Sequence, residues 1–178
     1  DDAVNYGVIG AVIGHEVGHG FDDQRSTFVG NGVMRNWWTK KDNEEFKKRT
    51  AALIAQYSGF KVFPDLNVNG DFTLGENIGD LGGLTIALKA YNASLNGKQA
   101  PVMDGFTGEQ RVFIGWGQAW LSKSTDEALR NQVATDPHSP AQFRVNGVVR
   151  NIPEFYTAFN VKATDSLYLA PEKRVKIW

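Results

Sequence analysis

The sequence has 178 residues, of which 42% are hydrophobic and 22% are charged, so it is long and apolar enough for one globular domain with its own core. The formal net charge is −1 and the basic residues are scattered, which excludes nucleic acid as a partner. The absence of cysteine excludes disulfides, thiolate metal sites and thiol nucleophiles.

The first predicted element is a helix over residues 4–21. Its glycines Gly10, Gly14 and Gly18 recur every fourth residue, so they form a smooth stripe along one side where another backbone can approach closely. The apolar run over residues 8–17 is too short to cross a bilayer, so we predict no membrane segment in this chain.

Most of the remaining chain is also predicted to be helical. The later helices are expected over residues 39–57, 73–95, 108–122, 125–135 and 153–159. We expect loops over residues 24–35 and 136–151, a short strand over 60–63 and an extended tail. The pattern therefore predicts one mainly α domain with little β structure. The apolar residues expected on the buried face of the third helix are Ile78, Leu81, Leu84, Leu88 and Tyr91.

The first helix contains His15-Glu16-Val17-Gly18-His19, which has the H-E-x-x-H pattern. Residues four apart lie on one helix face, so both imidazoles can point at one ion while Glu16 flanks it without being forced to bind it. This chain's own composition gives roughly two chance matches per thousand such chains. The pattern therefore predicts a zinc site.

A catalytic zinc site normally has three protein ligands and keeps a fourth position for water, so a third ligand is required. The metzincin arrangement would place a histidine at position 25, where the chain has Arg25, and this excludes that subclass. Glu76 and Asp80 are four residues apart on the third helix and share a face. One can bind the metal while the other accepts a hydrogen bond from a ligand histidine.

Two interpretations of Glu76 are open at this point. Thr73 and Glu76 also have the spacing of a capping box, in which the glutamate reaches back to the backbone of Thr73. The capping interpretation leaves the two histidines one ligand short and gives Asp80 no role on a buried face, which favours Glu76 as a ligand. Asp22 and Asp23 could support a ligand or close the first helix, and we favour a supporting role for Asp22.

The third histidine lies in the segment 136–144. A zinc peptidase needs a donor opposite the metal to stabilise the developing oxyanion and a further group to hold the substrate backbone. His138 and Arg144 are suited to these two tasks, although a single loop histidine is more often an ordinary surface residue.

Together these motifs resemble those of the neprilysin and endothelin-converting-enzyme family of zinc metallopeptidases. The matching residues are His15-Glu16-x-x-His19-Gly-Phe-Asp-Asp, Gly75-Glu76-Asn77-Ile78-x-Asp80-x-Gly-Gly, His138-Ser-Pro-x-x-Phe-Arg144 and the terminal Trp178. Val175 and Leu121 stand where vertebrate members have cysteines, which points to a bacterial member.

The resemblance implies a thermolysin-like (gluzincin) helical catalytic subdomain that binds one Zn²⁺ ion. The implied roles are metal binding by His15, His19 and Glu76, general base catalysis by Glu16, orientation of a ligand histidine by Asp80, transition-state stabilisation by His138 and substrate contact by Arg144. The implied function is an endopeptidase that hydrolyses oligopeptides through a zinc-activated water. The family mostly works outside the cytoplasm, so the periplasm, the cell envelope or the extracellular space is expected.

Family members are several times longer, with a helical lid and a substrate-pairing edge strand before the catalytic part. We therefore expect residues 1–178 to be the C-terminal portion of the catalytic domain of a longer protein, which would work with its own N-terminal part. The alternative is a zinc-stabilised domain that binds a peptide or a partner chain without catalysis. The intact Glu16 argues against this alternative, because a scaffold has no need of a base there.

Overall fold

Helices make up most of the computed structural model, which describes residues 1–178 and confirms the mainly α prediction. The helices are α1 (Asp2–Asn5), α2 (Ala11–Gly18), α3 (Lys40–Ser58), α4 (Leu74–Ser94), α5 (Gly108–Ala119), α6 (Asp126–Thr135), α7 (Ala141–Val149) and α8 (Pro153–Phe159). The strands β1 (Lys61–Phe63) and β2 (Leu66–Asn67) form one antiparallel hairpin. None of the helices combines the length and the apolar composition needed to cross a bilayer.

The first predicted helix is an almost unbroken helical run with three kinds of turn. A π-helical segment, Tyr6–Gly10, joins α1 to α2, and a 3₁₀ turn, His19–Phe21, follows α2. The side chain of Asp1 caps the run by accepting a hydrogen bond from the backbone N–H of Ala3. The H-E-x-x-H residues therefore lie at its C-terminal end.

Close packing of α2 against α4 depends on glycine. A Cβ atom on Gly14 would lie 2.9 Å from the Cα of Gly83, and one on Gly83 would overlap the backbone oxygen of Ala11. Gly18 also faces α4, whereas Gly10 lies against its own helix. The predicted smooth stripe is thus present at two of its three positions, and it brings His15 of α2 within hydrogen-bond distance of Asp80 on α4.

The hydrophobic core surrounds α4, which lies between the other long helices. The five residues predicted on its buried face are each at most 5% exposed. Burying this many apolar side chains from one helix makes α4 a rigid base for the acidic residues in its first two turns. Neighbouring helices add Leu53, Tyr57, Phe113 and Trp116 to the same core.

The prediction of a loop over residues 136–151 is wrong for most of that segment, because α7 occupies residues Ala141–Val149. Valine, asparagine and glycine lower the helix propensity of this segment, but burial of its apolar side chains outweighs that preference. Gly147 is needed for packing, since a Cβ atom there would lie 2.6 Å from the hydroxyl oxygen of Tyr57. The buried apolar residues of α7 are Phe143, Val148 and Val149.

The terminal Trp178 closes an aromatic cluster beside the end of the first helical run. Its ring stacks on Phe46 of α3 at a centroid distance of 5.4 Å and on Trp38 at 6.0 Å. The ring of Phe21 meets Trp178 edge-on at 6.3 Å. These contacts attach the C-terminal tail to the turn that carries His19.

Candidate metal centre

The three predicted ligands converge where α2 meets the first turn of α4. The candidate ligand atoms of His15, His19 and Glu76 all lie within 4.8 Å of one another. Nε2 of His15 is 3.1 Å from Oε2 of Glu76, and Nε2 of His19 is 3.6 Å from Oε1 of the same carboxylate. His15 and Glu76, which are 61 positions apart in sequence, are thus brought together by the glycine-mediated contact of the two helices.

Each of the two histidines is held by a carboxylate at its other ring nitrogen. Nδ1 of His15 lies 2.8 Å from Oδ1 of Asp80, and Nδ1 of His19 lies 3.0 Å from Oδ2 of Asp22. A neutral ring that donates its Nδ1 proton to a carboxylate keeps a lone pair on Nε2. Both Nε2 atoms face Glu76, so the predicted orienting partners Asp80 and Asp22 lie in the positions that this tautomer requires.

The residues fit a zinc ion. Oε2 of Glu76 is buried, and the ring nitrogens Nε2 of His15 and Nε2 of His138 lie 3.1 Å and 3.0 Å from it. Three acceptor atoms that face one another in this way need a cation or a proton between them. Two imidazole nitrogens and one carboxylate oxygen are a ligand set that catalytic zinc takes.

Without a metal, the charges of the site favour a proton on His15. Burial by itself would lower the pKa of His15, but hydrogen bonds to Asp80 and Glu76 and their negative charges outweigh it and raise the pKa to about 9. Burial would likewise raise the pKa of Glu76, but the hydrogen bond from His15 and the charges of the three histidines lower it to about 2. The centre therefore attracts positive charge strongly.

We expect the metal-free protein to lose stability as the pH rises above neutrality. The pKa of His15 is raised from 6.5 to about 9, so its stabilising effect is complete below pH 6.5 and is lost as the pH rises through about 9. A shift of this size corresponds to about 3 kcal/mol in the free energy of unfolding. Urea denaturation of chelator-treated protein across this pH range measures it.

Saturating zinc provides the control for this measurement. Zinc holds Nε2 of His15 deprotonated. The loss of stability between pH 6.5 and about pH 9 should therefore disappear when the metal is present. An equal free energy of unfolding at both pH values in the metal-free protein would contradict the charge arrangement described for His15.

Glu76 does not act as a helix cap in the structure. Thr73 makes no capping hydrogen bond with its side chain, and its hydroxyl donates instead to the backbone oxygen of Asn69, 3.0 Å away. The capping interpretation is therefore not the one that the structure adopts. A complete capping box occurs elsewhere, between Thr107 and Gln110 at the start of α5.

Asp80 connects the candidate ligand His15 to Arg144. Its side chain is 1% exposed, and Nε and Nη2 of Arg144 donate to its two oxygens over 2.7 Å each. The guanidinium also lies 3.8 Å from the ring centroid of Trp120. Nη1 of Arg144 makes no hydrogen bond within the chain, so it is the nitrogen left for the predicted contact with the substrate backbone.

His138 lies beside the candidate ligands, although it is far from them in sequence. Its Nε2 is 3.0 Å from Oε2 of Glu76, and its Nδ1 is 2.7 Å from Oδ1 of Asp136. With Nδ1 donating to Asp136, Nε2 can act as a donor only when the ring is protonated. A cavity of about 390 Å³ beside the ring is lined by His138, Arg144 and Trp120 among others.

Sequence reasoning missed Asp136. Oδ1 of Asp136 also accepts the backbone N–H of His138, at 2.9 Å, so the residue both turns the chain and holds the ring. Burial would raise the pKa of Asp136, but these hydrogen bonds from His138 outweigh it and lower the pKa below its usual range. An aspartate two residues before a histidine is the signal that could have indicated this turn.

The last two predicted positions differ in their surroundings. Glu16 is exposed and its side chain makes no hydrogen bond, whereas Asp22 is buried and its Oδ1 accepts the backbone N–H groups of Gln24 and Arg25. Asp22 therefore both supports His19 and closes the turn, so the two roles considered for it coexist. Asp23 has a buried, unpartnered Oδ1, and burial raises the pKa of its carboxyl.

Comparison with known proteins gives consistent matches. The sequence model of peptidase family M13 matches residues 1–175. The chain is 43% identical to Neprilysin-1 of Caenorhabditis elegans over 182 residues, and 40% identical to Neutral endopeptidase of Lactobacillus helveticus over 175 residues. These alignments cover 99% and 98% of the chain, but 24% and 25% of the two relatives.

A solved structure extends this similarity to three dimensions. The zinc metalloprotease Zmp1 of Mycobacterium tuberculosis, in complex with an inhibitor, matches all of this chain with a TM-score of 0.98 and 56% sequence identity. The matched part is 28% of the Zmp1 chain. The chain thus spans about a quarter of the length of the proteins that it matches.

Proposed function

The chain belongs to peptidase family M13, and from this premise we propose that the protein is a zinc-dependent endopeptidase that hydrolyses peptide bonds of oligopeptides. The observation that carries the proposal is the convergence of His15, His19 and Glu76 to within 4.8 Å. The names of the relatives, an endopeptidase and a zinc metalloprotease, support the same activity.

We also propose that residues 1–178 are the C-terminal portion of the catalytic domain of a longer enzyme. The chain spans about a quarter of its relatives' length, which supports this proposal. The remaining part of the same protein would complete the substrate site.

The proposed metal is one Zn²⁺ ion, held by Nε2 of both histidines and by the carboxylate of Glu76. Asp80 and Asp22 hold the Nδ1 atoms, so both Nε2 atoms face the metal position before the metal binds, and zinc would displace the proton that His15 carries there. When bound, zinc lowers the pKa of a coordinated water to about 7 and polarises the carbonyl of the substrate.

Glu16 is the proposed general base. It follows His15 directly on α2, is exposed, and makes no hydrogen bond that would have to be broken before its carboxylate takes a proton. It would take this proton from the attacking water and return it to the nitrogen of the leaving amine. A carboxylate that binds neither the metal nor another side chain is suited to this transfer.

His138 and Arg144 are the proposed groups on the substrate side. Asp136 holds Nδ1 of His138, so the protonated ring can donate from Nε2 to the oxygen of the carbonyl as negative charge develops there. Arg144 is fixed by Asp80 and lines the adjacent cavity, which leaves Nη1 to donate to a substrate carbonyl.

Metal removal tests the proposed function. Full-length protein treated with a chelator should lose cleavage of a fluorogenic oligopeptide, and one equivalent of zinc should restore it, because both water activation and carbonyl polarisation depend on the ion. Magnesium serves as the control and should not restore cleavage, since it prefers oxygen ligands. Full cleavage by protein that contains no zinc would overturn the proposal and would favour a binding role for the site.

A further inference from the structure

A chain of buried hydrogen bonds joins α4 to the segment that carries His138. The hydroxyl of Ser139 donates to Oδ1 of Asn77 over 2.8 Å, and Nδ2 of Asn77 donates to the hydroxyl oxygen of Thr73 over 2.9 Å. That hydroxyl donates in turn to the backbone oxygen of Asn69. Asn77 and Ser139 are each 1% exposed, so water does not compete for these bonds.

The direction of this hydrogen-bond chain is fixed at its end. The backbone oxygen of Asn69 can only accept, so the hydroxyl of Thr73 must donate to it and must accept from the amide of Asn77. This leaves Oδ1 of Asn77 to accept from Ser139. The position therefore requires a side chain that donates at one atom and accepts at another, which asparagine provides and neither aspartate nor leucine does.

The two central residues are next to two residues of the candidate metal centre. Asn77 follows Glu76, and Ser139 follows His138. Nε2 of His138 is itself 3.0 Å from Oε2 of Glu76, but a carboxylate that binds a metal has less capacity for this contact. The hydrogen bond between Asn77 and Ser139 does not involve the ligand atoms and can persist when the metal is bound.

The other contacts of the His138 segment are weaker restraints on its position. The pair of His138 and Asp136 lies within the segment itself, and both side chains are more than 40% exposed. The bond from the amide of Gln132 to the backbone oxygen of His138 is long, at 3.4 Å. The next buried attachment to α4 is that of Arg144 to Asp80, on α7.

We propose that Asn77 and Ser139 are positioning residues, which hold Nε2 of His138 at the distance from the metal ligands that oxyanion stabilisation requires. The inference rests on the proposed peptidase function. Ser139 is one of the residues around the cavity that Arg144 lines, but it is 1% exposed and offers almost no surface to a substrate. Because the pair also bonds to none of the candidate ligand atoms, it acts on the rate of the chemical step and leaves zinc binding unchanged.

A double-mutant cycle in the full-length enzyme tests this role. Ser139→Ala removes the donor and should lower kcat by about tenfold, since small displacements of a catalytic group have effects of this order or larger. Zinc content and KM should stay close to those of the unchanged enzyme. In a His138→Ala background the same substitution should cause no further loss of kcat, because the group that it positions is already absent.

One further variant tests the far end of the hydrogen-bond chain, and another serves as a control. Thr73→Val keeps the shape of the side chain but breaks the far end of the hydrogen-bond chain, so it should lower kcat by a smaller factor, again only when His138 is present. Ser94→Ala is the control for loss of a serine hydroxyl bond: it removes the bond to the backbone oxygen of Tyr91 at the opposite end of α4 from Asn77, and it should leave kcat unchanged in both backgrounds. An equal loss of kcat with and without His138, or no loss from Ser139→Ala, would overturn the proposal.

A second measurement does not depend on cleavage. In zinc-loaded protein, the ring nitrogen signals of His138 in ¹⁵N NMR should form one sharp set, and they should broaden or double in Ser139→Ala. If the unchanged full-length protein does not cleave peptides, the proposed function fails while this measurement still decides the positioning role. Identical His138 signals in both proteins would overturn that role.

Discussion

Glu16→Gln in the full-length protein should lower kcat for peptide cleavage by about 10²–10⁴-fold, the range that a positioned proton-transfer group contributes, and should leave zinc bound. Glutamine has the shape of glutamate but cannot take a proton from the attacking water. Glu16 is exposed and is not one of the three converging ligand residues, so the substitution should leave the fold and the metal centre intact. Steady-state kinetics with zinc quantified in each sample measure both effects.

Glu44→Gln is a matched control for the change in charge. Glu44 is exposed on α3, where its carboxylate is 3.9 Å from Lys40, and it is not one of the three converging ligand residues. This variant should cleave peptides at the unchanged rate. Cleavage that survives Glu16→Gln would refute the role of Glu16 as base, and loss of zinc from that variant would show that Glu16 helps to hold the metal.

Glu76→Gln should weaken zinc binding by more than about 100-fold. About 100-fold is the upper end of the loss in affinity when only an outer hydrogen-bond partner of a metal ligand is removed, and here a ligand itself is replaced. The amide removes the negative charge and leaves two imidazoles, one ligand fewer than catalytic zinc normally has. Because Glu76 makes no capping bond, the substitution should not shorten α4. Competition with a chromophoric chelator gives the affinity.

Glu109→Gln provides the comparison for Glu76→Gln. Both glutamates lie in the first turn of a helix, so both substitutions remove the same favourable interaction with the helix dipole. Only Glu76 lies among histidine ring nitrogens, and Glu109 instead accepts a hydrogen bond from Asn92. If the two variants bound zinc equally well, Glu76 would not be a ligand and its role would be confined to the start of α4.

Local patterns in the sequence predict much of the fold and the central geometry of the candidate site. Apolar residues three and four apart mark the buried face of α4, and the same spacing places His15 and His19 on one side of the first helical run. Counting ligands then leads to Glu76, because two histidines are too few. Each of these arguments uses contacts within one helix or the known needs of one ion.

Contacts between distant segments were beyond these arguments. The helix α7 forms because burial of its apolar residues outweighs poor propensity, and Gly147 contributes by lying against Tyr57, 90 positions earlier in the chain. Similarly, no local pattern indicates that Ser139 bonds to Asn77, since a serine beside a proline reads as an ordinary turn residue.

Arg144 shows how tertiary contacts refine a role that a motif assigns. The motif suggests only a substrate contact, whereas the structure shows that Asp80 binds the guanidinium through two hydrogen bonds while it also holds His15. One buried carboxylate thus fixes a candidate metal ligand and a candidate substrate-binding group together. This joint arrangement depends on helices α2, α4 and α7 meeting at one point.

A crystal structure of zinc-loaded protein, with anomalous diffraction measured at the zinc edge, tests the metal centre most directly. The account predicts one ion between α2 and α4, with Nε2 of His15, Nε2 of His19 and a carboxylate oxygen of Glu76 at about 2.0–2.2 Å and a water in the remaining position. A zinc peak elsewhere, or an ion at this place from which the Glu76 carboxylate turns away, would contradict it.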